Sequence, residues 1–353
     1  MALTAFLAAF CVSSPAAAQF QTALPGYEFQ FPRDHGTHNE YPMEWWYYTG
    51  HLQTSSGARY GFELTFFRVG IVPAEQQNPW DFRNLALAHL AISDLEAGDF
   101  RYYQKVNRFS IYTANAAAGK LEVFNEGWRA ATLSDGAWRI HAAEGKDSLD
   151  LVLRARKPPA VHGENGVSAK AGEPGFASHY YSMTRLEASG TINGRACTGE
   201  VWMDHEFGSS RLASYERGWD WFSVQLDNET ELMIYLMRRM DGSIDGVSSG
   251  SLITGDGEVI HLRREQFQVK ATDTWRSRRS GATYPSGWLI AVPSFRIALT
   301  LTPLLKDQEL LTRGSTGVTY WEGAVSVNGT FANSAVRGEG YVELTGYDKP
   351  YRP

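Results

Sequence analysis

The chain has 353 residues and a formal net charge of −6 at pH 7. It contains no long basic run, which argues against nucleic acid as a partner. A length above roughly 250–300 residues predicts two domains, because single hydrophobic cores stop growing near that size. Aromatic residues make up 13% of the chain, and together with 34 glycines they favour short strands and tight turns over helices.

The N-terminus resembles an export signal. Residues 2–18 are apolar and then small, with Ala16 and Ala18 at the spacing of a signal-peptide cleavage site before Gln19. The apolar part is too short for a membrane span. Removal of the signal peptide, 1–18, would leave Cys197 as the only cysteine, so no disulfide framework or cysteine metal cluster is expected. We predict a secreted or periplasmic protein without a transmembrane segment in its mature chain.

The first hairpin is predicted within residues 44–68, with the turn signal TSSG between its strands. In its second strand Phe62 and Leu64 alternate with polar positions, so Glu63 points to the opposite face from these apolar neighbours. That face could be the lumen of a closed barrel. An equal alternative is that Glu63 pairs with Arg68 or lies in solvent.

Further strand patterns continue to the end of the chain, most of them separated by Gly, Asp or Asn turns. This arrangement predicts antiparallel barrels or sandwiches. The domain boundary is placed near residues 212–218, which divides the chain into 27–212 and 213–350. The main predicted strands are 44–51, 61–68, 85–93, 100–110, 121–130, 137–143, 148–155, 178–185, 187–193, 219–227, 230–238, 250–254, 265–271, 288–292, 295–302, 319–327 and 340–345.

The central stretch VWMDHEFGSSR carries three consecutive ionisable residues, Asp204, His205 and Glu206, between apolar neighbours. Burying an ionised group is costly unless it is paired, so chains rarely place three in an apolar segment without a reason. This triplet is the predicted catalytic centre. A plainer alternative is that the two carboxylates cap turns or pair with Arg185 or Arg211 at the domain junction.

Two reactions suit this centre. In a hydratase, a carboxylic acid with a raised pKa, Asp204 or Glu206, protonates an alkene, aromatic faces stabilise the carbocation, and water adds. In a hydrolase, His205 or a carboxylate activates water while a neighbouring donor stabilises the oxyanion. The aromatic wall is predicted to consist of Trp46, Trp219, Trp221 and Tyr235.

The other candidates have plainer explanations. His89 and His179 lie in apolar or aromatic strands, where a histidine is more often a hydrogen-bonded core residue than a base. The GVSSG run around Ser248 matches a nucleophile elbow but lacks the strand–turn–helix context, so Ser248 is not a predicted nucleophile. Without a tight ligand spacing, no metal is predicted, and no cofactor either. The metal donors considered are His35, His38, His51 and Glu44.

Several long motifs resemble the AttH/hydroxyneurosporene synthase family over roughly residues 27–347. The resemblance implies an all-β chain with two tandem lipocalin-like antiparallel β-barrel domains. It also implies a relation to carotenoid 1,2-hydratases and to predicted secreted hydrolases, some of them linked to ABC transporter systems. The motifs that carry it include EWWYYTG at 44–50, GFELTFFR at 61–68, WMDHEFGSS at 202–210, GWDWF at 218–222 and GYVELTGY at 340–347.

In the carotenoid hydratases of this family, the resemblance implies that the catalytic residues include the His of a DHNWG motif and a Tyr-x-Asp on a later strand. Here the first motif reads DHEFG, and the later strand keeps Tyr235 but has Met237 where the acid would be, so a carotenoid substrate is not expected. The predicted catalytic residues are Asp204, His205, Glu206 and Tyr235. The predicted substrate-binding residues are Glu44, Trp46, Glu63, His179, Tyr181, Trp202, Phe207, Trp219 and Trp221.

The sequence thus predicts an exported, two-domain lipocalin-like enzyme that hydrates or hydrolyses a lipophilic small molecule. The alternative, from a different functional class, is a non-catalytic carrier of a lipophilic ligand or an accessory protein of an envelope ABC transporter system. An enzyme should lose turnover but keep ligand affinity when the central triplet is substituted. A carrier should show no turnover at all.

Overall fold

The computed structural model describes residues 19–73, 82–209 and 212–352. The predicted signal peptide, 1–18, lies outside these residues. The described chain is built from strands, with three single-turn 3-10 helices and no α-helix, and it contains no helix long and apolar enough to cross a membrane. The 3-10 helices are Arg33–His35, Arg264–Gln266 and Pro293–Phe295.

The first barrel is a 13-stranded antiparallel sheet that is nearly closed. Its main path runs β4-β3-β2-β1-β13-β12-β9-β8-β7-β6-β5, and β10 and β11 pair with β12. In chain order the strands are β1 Met43–Thr54, β2 Arg59–Gly70, β3 Asn84–Asp94, β4 Asp99–Arg108, β5 Ala114–Ala116, β6 Glu122–Asn125, β7 Trp128–Thr132, β8 Trp138–Glu144, β9 Asp147–Ala155, β10 Ala160–Val161, β11 Ser168–Ala169, β12 Ala177–Ile192 and β13 Arg195–Gly208.

The second barrel is a ten-stranded half-barrel sheet with the path β17-β16-β15-β14-β25-β24-β22-β21-β18, while β23 pairs with β24 and β19 pairs with β20 separately. The two sheets confirm the predicted all-β architecture of two lipocalin-like barrels; the division at 212/213 stays a prediction. The strands are β14 Glu216–Leu226, β15 Glu231–Arg239, β16 Ser249–Ile253, β17 Val259–Arg263, β18 Gln268–Ala271, β19 Thr274–Arg276, β20 Thr283–Pro285, β21 Trp288–Val292, β22 Ile297–Pro303, β23 Glu309–Leu311, β24 Thr319–Phe331 and β25 Ser334–Thr345.

The predicted strands 265–271 and 295–302 begin too early, because Arg264–Gln266 and Pro293–Phe295 are 3-10 helices. In two other places the number of strands was wrong. The predicted strand 121–130 is a hairpin of β6 and β7, because Glu126 adopts a φ of +55° and turns the chain so that Asn125 pairs with Trp128. Conversely, the strands predicted at 178–185 and 187–193 form the single strand β12. The pairing of β12 with β13 has a register shift between Met183 and Leu186. This irregularity lies where the sequence pattern predicted a break between two strands.

Each barrel is filled by its own side chains. In the first barrel, alternate residues of β1 and β2, such as Trp46 and Phe62, point inward and belong to the same buried cluster as Trp128 of β7. In the second, Phe222 packs against Trp288 in the same manner. Because apolar side chains occupy both interiors, the residues of opposite parity on these strands face outward, toward the other barrel.

Buried polar contacts fix the two barrels against each other. Arg185 and Lys157 of the first barrel both bind Glu231 on β15, at N–O distances of 2.7 and 2.8 Å. Nearby, the ring of His162 makes a 2.8 Å hydrogen bond with the hydroxyl of Ser251 across the junction. A buried carboxylate with two cationic partners tolerates little displacement, so side chains from both barrels can form one ordered site.

Candidate active site

Strand alternation separates the three consecutive ionisable side chains of β13. Asp204 and Glu206 point to the outer face of the first barrel and His205 to its interior, because successive strand residues face opposite sides. On the adjacent strand β1, Tyr47 lies opposite Asp204, and Trp46 lies opposite His205 and stacks on it. The two carboxylates therefore share one face, and the imidazole lies on the other.

The second barrel covers this outer face and leaves a cavity of about 410 Å³, hereafter the interbarrel cavity. One wall comes from β1–β3, β12 and β13 and the other from β14, β15, β24 and β25. Its volume lies in the ~300–1,000 Å³ range of small-molecule sites. Its aromatic lining consists of Trp45, Tyr47, Phe67, Tyr180, Trp219, Trp221, Tyr235, Tyr320 and Tyr351.

Asp204 is held in the cavity wall by three donors. The indole nitrogen of Trp202 lies 2.6 Å from Oδ1, the hydroxyl of Tyr180 lies 2.8 Å from Oδ2, and the hydroxyl of Ser182 donates to Oδ1. The Tyr180 oxygen itself accepts a 3.1 Å hydrogen bond from the indole of Trp221 in the second barrel. Burial nevertheless raises the pKa of Asp204 to about 7, despite these hydrogen bonds.

Two further carboxyl groups, which are not among the predicted site residues, face the cavity from the second barrel. Glu322 on β24 and Glu343 on β25 lie directly opposite each other in the antiparallel register. The hydroxyl of Tyr47 donates to Oε1 of Glu322, while Oε2 is buried without a hydrogen-bond partner. The indole of Trp219 lies 3.1 Å from Oε2 of Glu343.

The pKa values of this pair are driven apart. Burial raises the pKa of Glu343 to about 7. Burial, together with the negative charge of Glu343 and then of Glu63, holds the pKa of Glu322 well above its ordinary value. Cross-strand neighbours lie close enough for like charges to disfavour each other. The surroundings of Glu322 therefore favour its protonated form, and it lies next to a carboxyl group whose pKa is near neutral.

Glu63 faces the same cavity from β2. The expectation that its face could be the barrel lumen is wrong, because Phe62 fills the lumen and Glu63 points outward. Arg68 is not its partner either, since that guanidinium lies 2.9 Å from Glu44. The hydroxyl of Thr65 donates to Oε1 of Glu63, and Oε2 is buried without a partner. Burial raises the pKa of Glu63 to about 8.

Glu206 is the cavity carboxylate with a cationic partner. The ammonium group of Lys170 lies 2.8 Å from its Oε1, and the hydroxyl of Ser178 donates to the same oxygen. Lys170 also lies over the ring of Tyr235, 4.5 Å from the centroid. The hydroxyl of Tyr235 is engaged elsewhere, since it donates to the carbonyl of Ala169 at 2.6 Å.

On the opposite face, His205 belongs to a separate buried network around Glu44. Its Nε2 lies 2.9 Å from Oε1 of Glu44, and Nδ1 of His38 lies 2.9 Å from the same oxygen. Arg68 binds Oε2 at 2.9 Å. The other ring nitrogen of His205 lies 2.9 Å from the backbone carbonyl of Asp34. This network ties the segment before β1 to β1, β2 and β13.

The same network is a possible metal-donor group. One ligand atom from each of His38, Glu44 and His205 lies within 4.8 Å of the others, and all three residues are buried. In the described structure these atoms already bind one another, and Arg68 compensates the carboxylate charge. Spacing along the chain could not indicate this group, because His205 joins it only through the pairing of β1 with β13.

The predicted site residues thus divide into those that line the interbarrel cavity, from both barrels, and those of the first barrel that do not. Trp202 lies on the cavity face but behind Asp204, to which it donates. The predicted residues that line the cavity are Glu63, Asp204, Glu206, Trp219, Trp221 and Tyr235. The predicted residues that do not line it are Glu44, Trp46, His179, Tyr181, Trp202, His205 and Phe207.

The residues that sequence reasoning missed carry a weak sequence signal. Glu322 and Glu343 each interrupt a short run of uncharged, mostly apolar or small residues, YWEGAV and GYVELTG, as Glu63 does in GFELTFF. That signal marks a buried carboxyl candidate but does not say which cavity it faces. Lys170 lies in a loop with no pattern at all, and only the pairing of β11 with β12 brings it to the site.

We expect His205→Leu to affect stability and not chemistry. The substitution removes a donor from buried Glu44, which should cost about 1–3 kcal/mol of unfolding free energy. Turnover measured well below the melting temperature should stay within a few-fold of wild type, since His205 does not line the cavity. His141→Leu, at a half-exposed histidine of the same barrel, is the control. A large loss of kcat in folded His205→Leu would contradict this assignment.

Comparison with known proteins agrees with this architecture. A protein of Nitrosomonas europaea assigned to AttH is 34% identical, and its crystal structure superposes with a TM-score of 0.83 over 93% of this chain and 100% of its own. The crystal structure of kievitone hydratase from Nectria haematococca shares the fold, with a TM-score of 0.70 over 94% of this chain and 98% of its own at 16% identity.

Sequence comparison gives one further relative and the family. Kievitone hydratase of Fusarium solani subsp. phaseoli is 27% identical over 147 residues, which are 41% of this chain and 40% of that protein. The match therefore spans less than half of this relative. The AttH-like family profile matches residues 22–347, nearly the whole described chain. The chain therefore belongs to the AttH-like family.

Proposed function

We propose that this protein is an exported hydratase that adds water to a carbon–carbon double bond of a lipophilic small molecule in the interbarrel cavity. The observation that carries the proposal is Glu322, a buried carboxyl group with an unpartnered oxygen in an aromatic cavity. The similarity to kievitone hydratase supports the same reaction class.

Glu322 is the proposed general acid. Tyr47 occupies its Oε1 as a donor, so the carboxyl proton resides on Oε2, the oxygen without a partner. A substrate alkene in the cavity accepts that proton, a C–H bond forms and the neighbouring carbon becomes cationic. The ring faces of Tyr47 and Trp221, whose centroids are 5.3 Å apart, stabilise this cation.

Glu343 is the proposed general base. Water attacks the cationic carbon, and its proton passes to Glu343, which is ionised in a substantial fraction near pH 7. Because Glu343 lies directly opposite Glu322, the proton can return to Glu322 and restore the starting state. The net change is the addition of one water molecule. Two carboxyl groups whose pKa values are pushed apart provide the acid and the base of one reaction.

Hydrolysis, the other predicted reaction, has less support. His205 lies on the wrong face to activate water in the cavity. A histidine that does line the cavity is His89, whose two ring nitrogens form hydrogen bonds with the hydroxyls of Tyr320 and Ser315 at 2.7 and 2.8 Å. Burial lowers the pKa of His89 to about 3, so it is a weak base without a carboxylate partner.

The alternative function, a carrier of a lipophilic ligand, rests on the apolar cavity alone. A measurement of turnover decides between a carrier and a hydratase. Purified protein is incubated with kievitone, the substrate that the relative's name indicates, and with other lipophilic alkenes in H₂¹⁸O. A hydratase gives a product heavier by one labelled water, and Glu322→Gln does not. Recovery of unchanged ligand from a saturable complex across the panel would favour the carrier.

The proposed export is tested by N-terminal sequencing of the mature protein. A sequence that begins at Gln19 would establish it.

The acid–base assignment predicts a bell-shaped pH dependence of kcat/KM. Activity should rise as pH increases through about 7, because Glu343 must be ionised to accept a proton. It should fall at alkaline pH, because Glu322, whose pKa is raised well above its ordinary value, must stay protonated. Initial rates between pH 5 and 10 measure both limbs. Glu343→Gln should remove the rising limb; its persistence in that variant would assign the base elsewhere.

A further inference from the structure

The interbarrel cavity contains an ion pair in addition to the carboxyl groups of Glu63, Asp204, Glu322 and Glu343. Among the described residues that line it, Lys170 is the only lysine or arginine. Its ammonium group lies 2.8 Å from Glu206 and over the rings of Tyr235 and Tyr180, at 4.5 and 5.4 Å from their centroids. Burial opposes the charged form, yet the adjacent carboxylate of Glu206 keeps the pKa of Lys170 above its ordinary value.

This pair keeps hydrogen-bonding capacity for a ligand. An ammonium group has three donors, and the contacts of Lys170 are Glu206 at 2.8 Å and the hydroxyl of Ser168 at 3.4 Å. Glu206 accepts from Lys170 and Ser178 through the same oxygen, Oε1. One donor of the ammonium and the second carboxylate oxygen are therefore available, side by side, in the wall of an apolar cavity.

A donor beside an acceptor matches a hydroxyl group better than a carboxylate. A hydroxyl can donate to Oε2 of Glu206 and accept from Lys170 at the same time. A ligand carboxylate would accept from Lys170 but would lie next to the negative charge of Glu206. A methyl ether could accept only. The pair is electrically neutral as a unit, so the ligand group it selects should also be neutral.

The ion pair lies at the other side of the cavity from the proposed acid. Tyr235, Trp221, Glu343 and Glu322 form one row across four adjacent strands of the second barrel. Three interstrand spacings of about 4.8 Å place the backbone of Tyr235 roughly 14 Å from the backbone of Glu322 along the sheet. Lys170 lies over Tyr235, and the aromatic ring of Trp221 lies between the two polar ends.

We propose that Lys170 and Glu206 form a subsite for an uncharged hydroxyl, of the phenol or alcohol type, on the substrate. The substrate is then a lipophilic molecule with such a hydroxyl at one end and its reacting carbon near Glu322, roughly 10–14 Å away. Only the position of the reacting carbon depends on the proposed function. The hydroxyl subsite itself rests on the ion pair and its free donor and acceptor.

The test compares three probes that differ only in the head group: 4-nonylphenol, 4-nonylanisole and 4-nonylbenzoate. Their dissociation constants are measured by quenching of tryptophan fluorescence, since Trp219 and Trp221 line the cavity. The phenol should bind the wild-type protein at least about tenfold more tightly than either other probe, as expected for hydrogen bonds to charged groups. Equal affinities of phenol and anisole, or tighter binding of the benzoate, would overturn the proposal.

Variants assign the effect to the pair. Lys170→Met and Glu206→Gln should each reduce the preference in affinity for the phenol over the anisole to below about threefold. The double variant with Met at both positions should do the same, and it leaves no unpaired charge. Met237→Leu, at an apolar lining residue, should keep the wild-type ratio. If the folded double variant kept the wild-type ratio of phenol to anisole affinity, the proposed subsite would be wrong. Because no turnover is measured, absence of hydration with a preserved phenol preference would contradict only the proposed function.

Discussion

Glu322→Gln is expected to reduce kcat by about 10²–10⁴-fold while ligand affinity stays within a few-fold of wild type. The amide keeps the shape of the protonated acid and its oxygen can still accept from Tyr47, but it cannot deliver a proton. The measurement is single-turnover product formation together with a fluorescence titration of the same substrate. A variant that binds and still turns over at near wild-type rate would remove Glu322 from the mechanism.

The matched control is Glu309→Gln. Glu309 is equally buried in the second barrel, but it lies outside the cavity lining and accepts hydrogen bonds from Tyr284, Ser277 and Ser280. Its replacement tests whether any buried carboxyl of this barrel supports activity through stability alone. We expect a lower melting temperature with kcat nearly unchanged at temperatures where the protein is folded.

Arg68→Met is expected to give the largest loss of stability, about 3–5 kcal/mol of unfolding free energy, because it leaves Glu44 as a buried charge without its guanidinium partner. The guanidinium also donates to the carbonyls of His38 and Tyr41, at 2.9 and 2.7 Å, so the segment before β1 loses its attachment as well. Urea denaturation followed by tryptophan fluorescence measures the loss.

Arg59→Met is the control for this prediction. Arg59 pairs with Glu339 at 2.7 Å, but both side chains are about half exposed, so its loss should cost only ~0–1 kcal/mol. If the two variants lost similar stability, the network around Glu44 would not be the structural element that we infer from its burial.

The sequence predicted the fold class correctly, and it predicted which residues lie on opposite faces of a strand. Period-two alternation placed Phe62 and Glu63 on opposite sides of β2, and the barrel confirms it. The same rule, applied to three adjacent residues, already implied that His205 could not share a face with Asp204 and Glu206. The long family motifs supplied the tandem-barrel architecture, which composition alone could not distinguish from sandwiches.

Local sequence thus determined that this chain is built from antiparallel strands and which side chains share one face of a strand, and the family motifs added the architecture of two barrels. Only the tertiary structure decided where those outward side chains meet. The cavity joins Glu63 and Asp204 of one barrel to Glu322 and Glu343 of the other. Strand periodicity fixes the side on which a residue lies, whereas the docking of one sheet on another depends on complementary surfaces and ion pairs between residues far apart in the chain. For that reason Glu322, the proposed acid, could be found only once both barrels were in place.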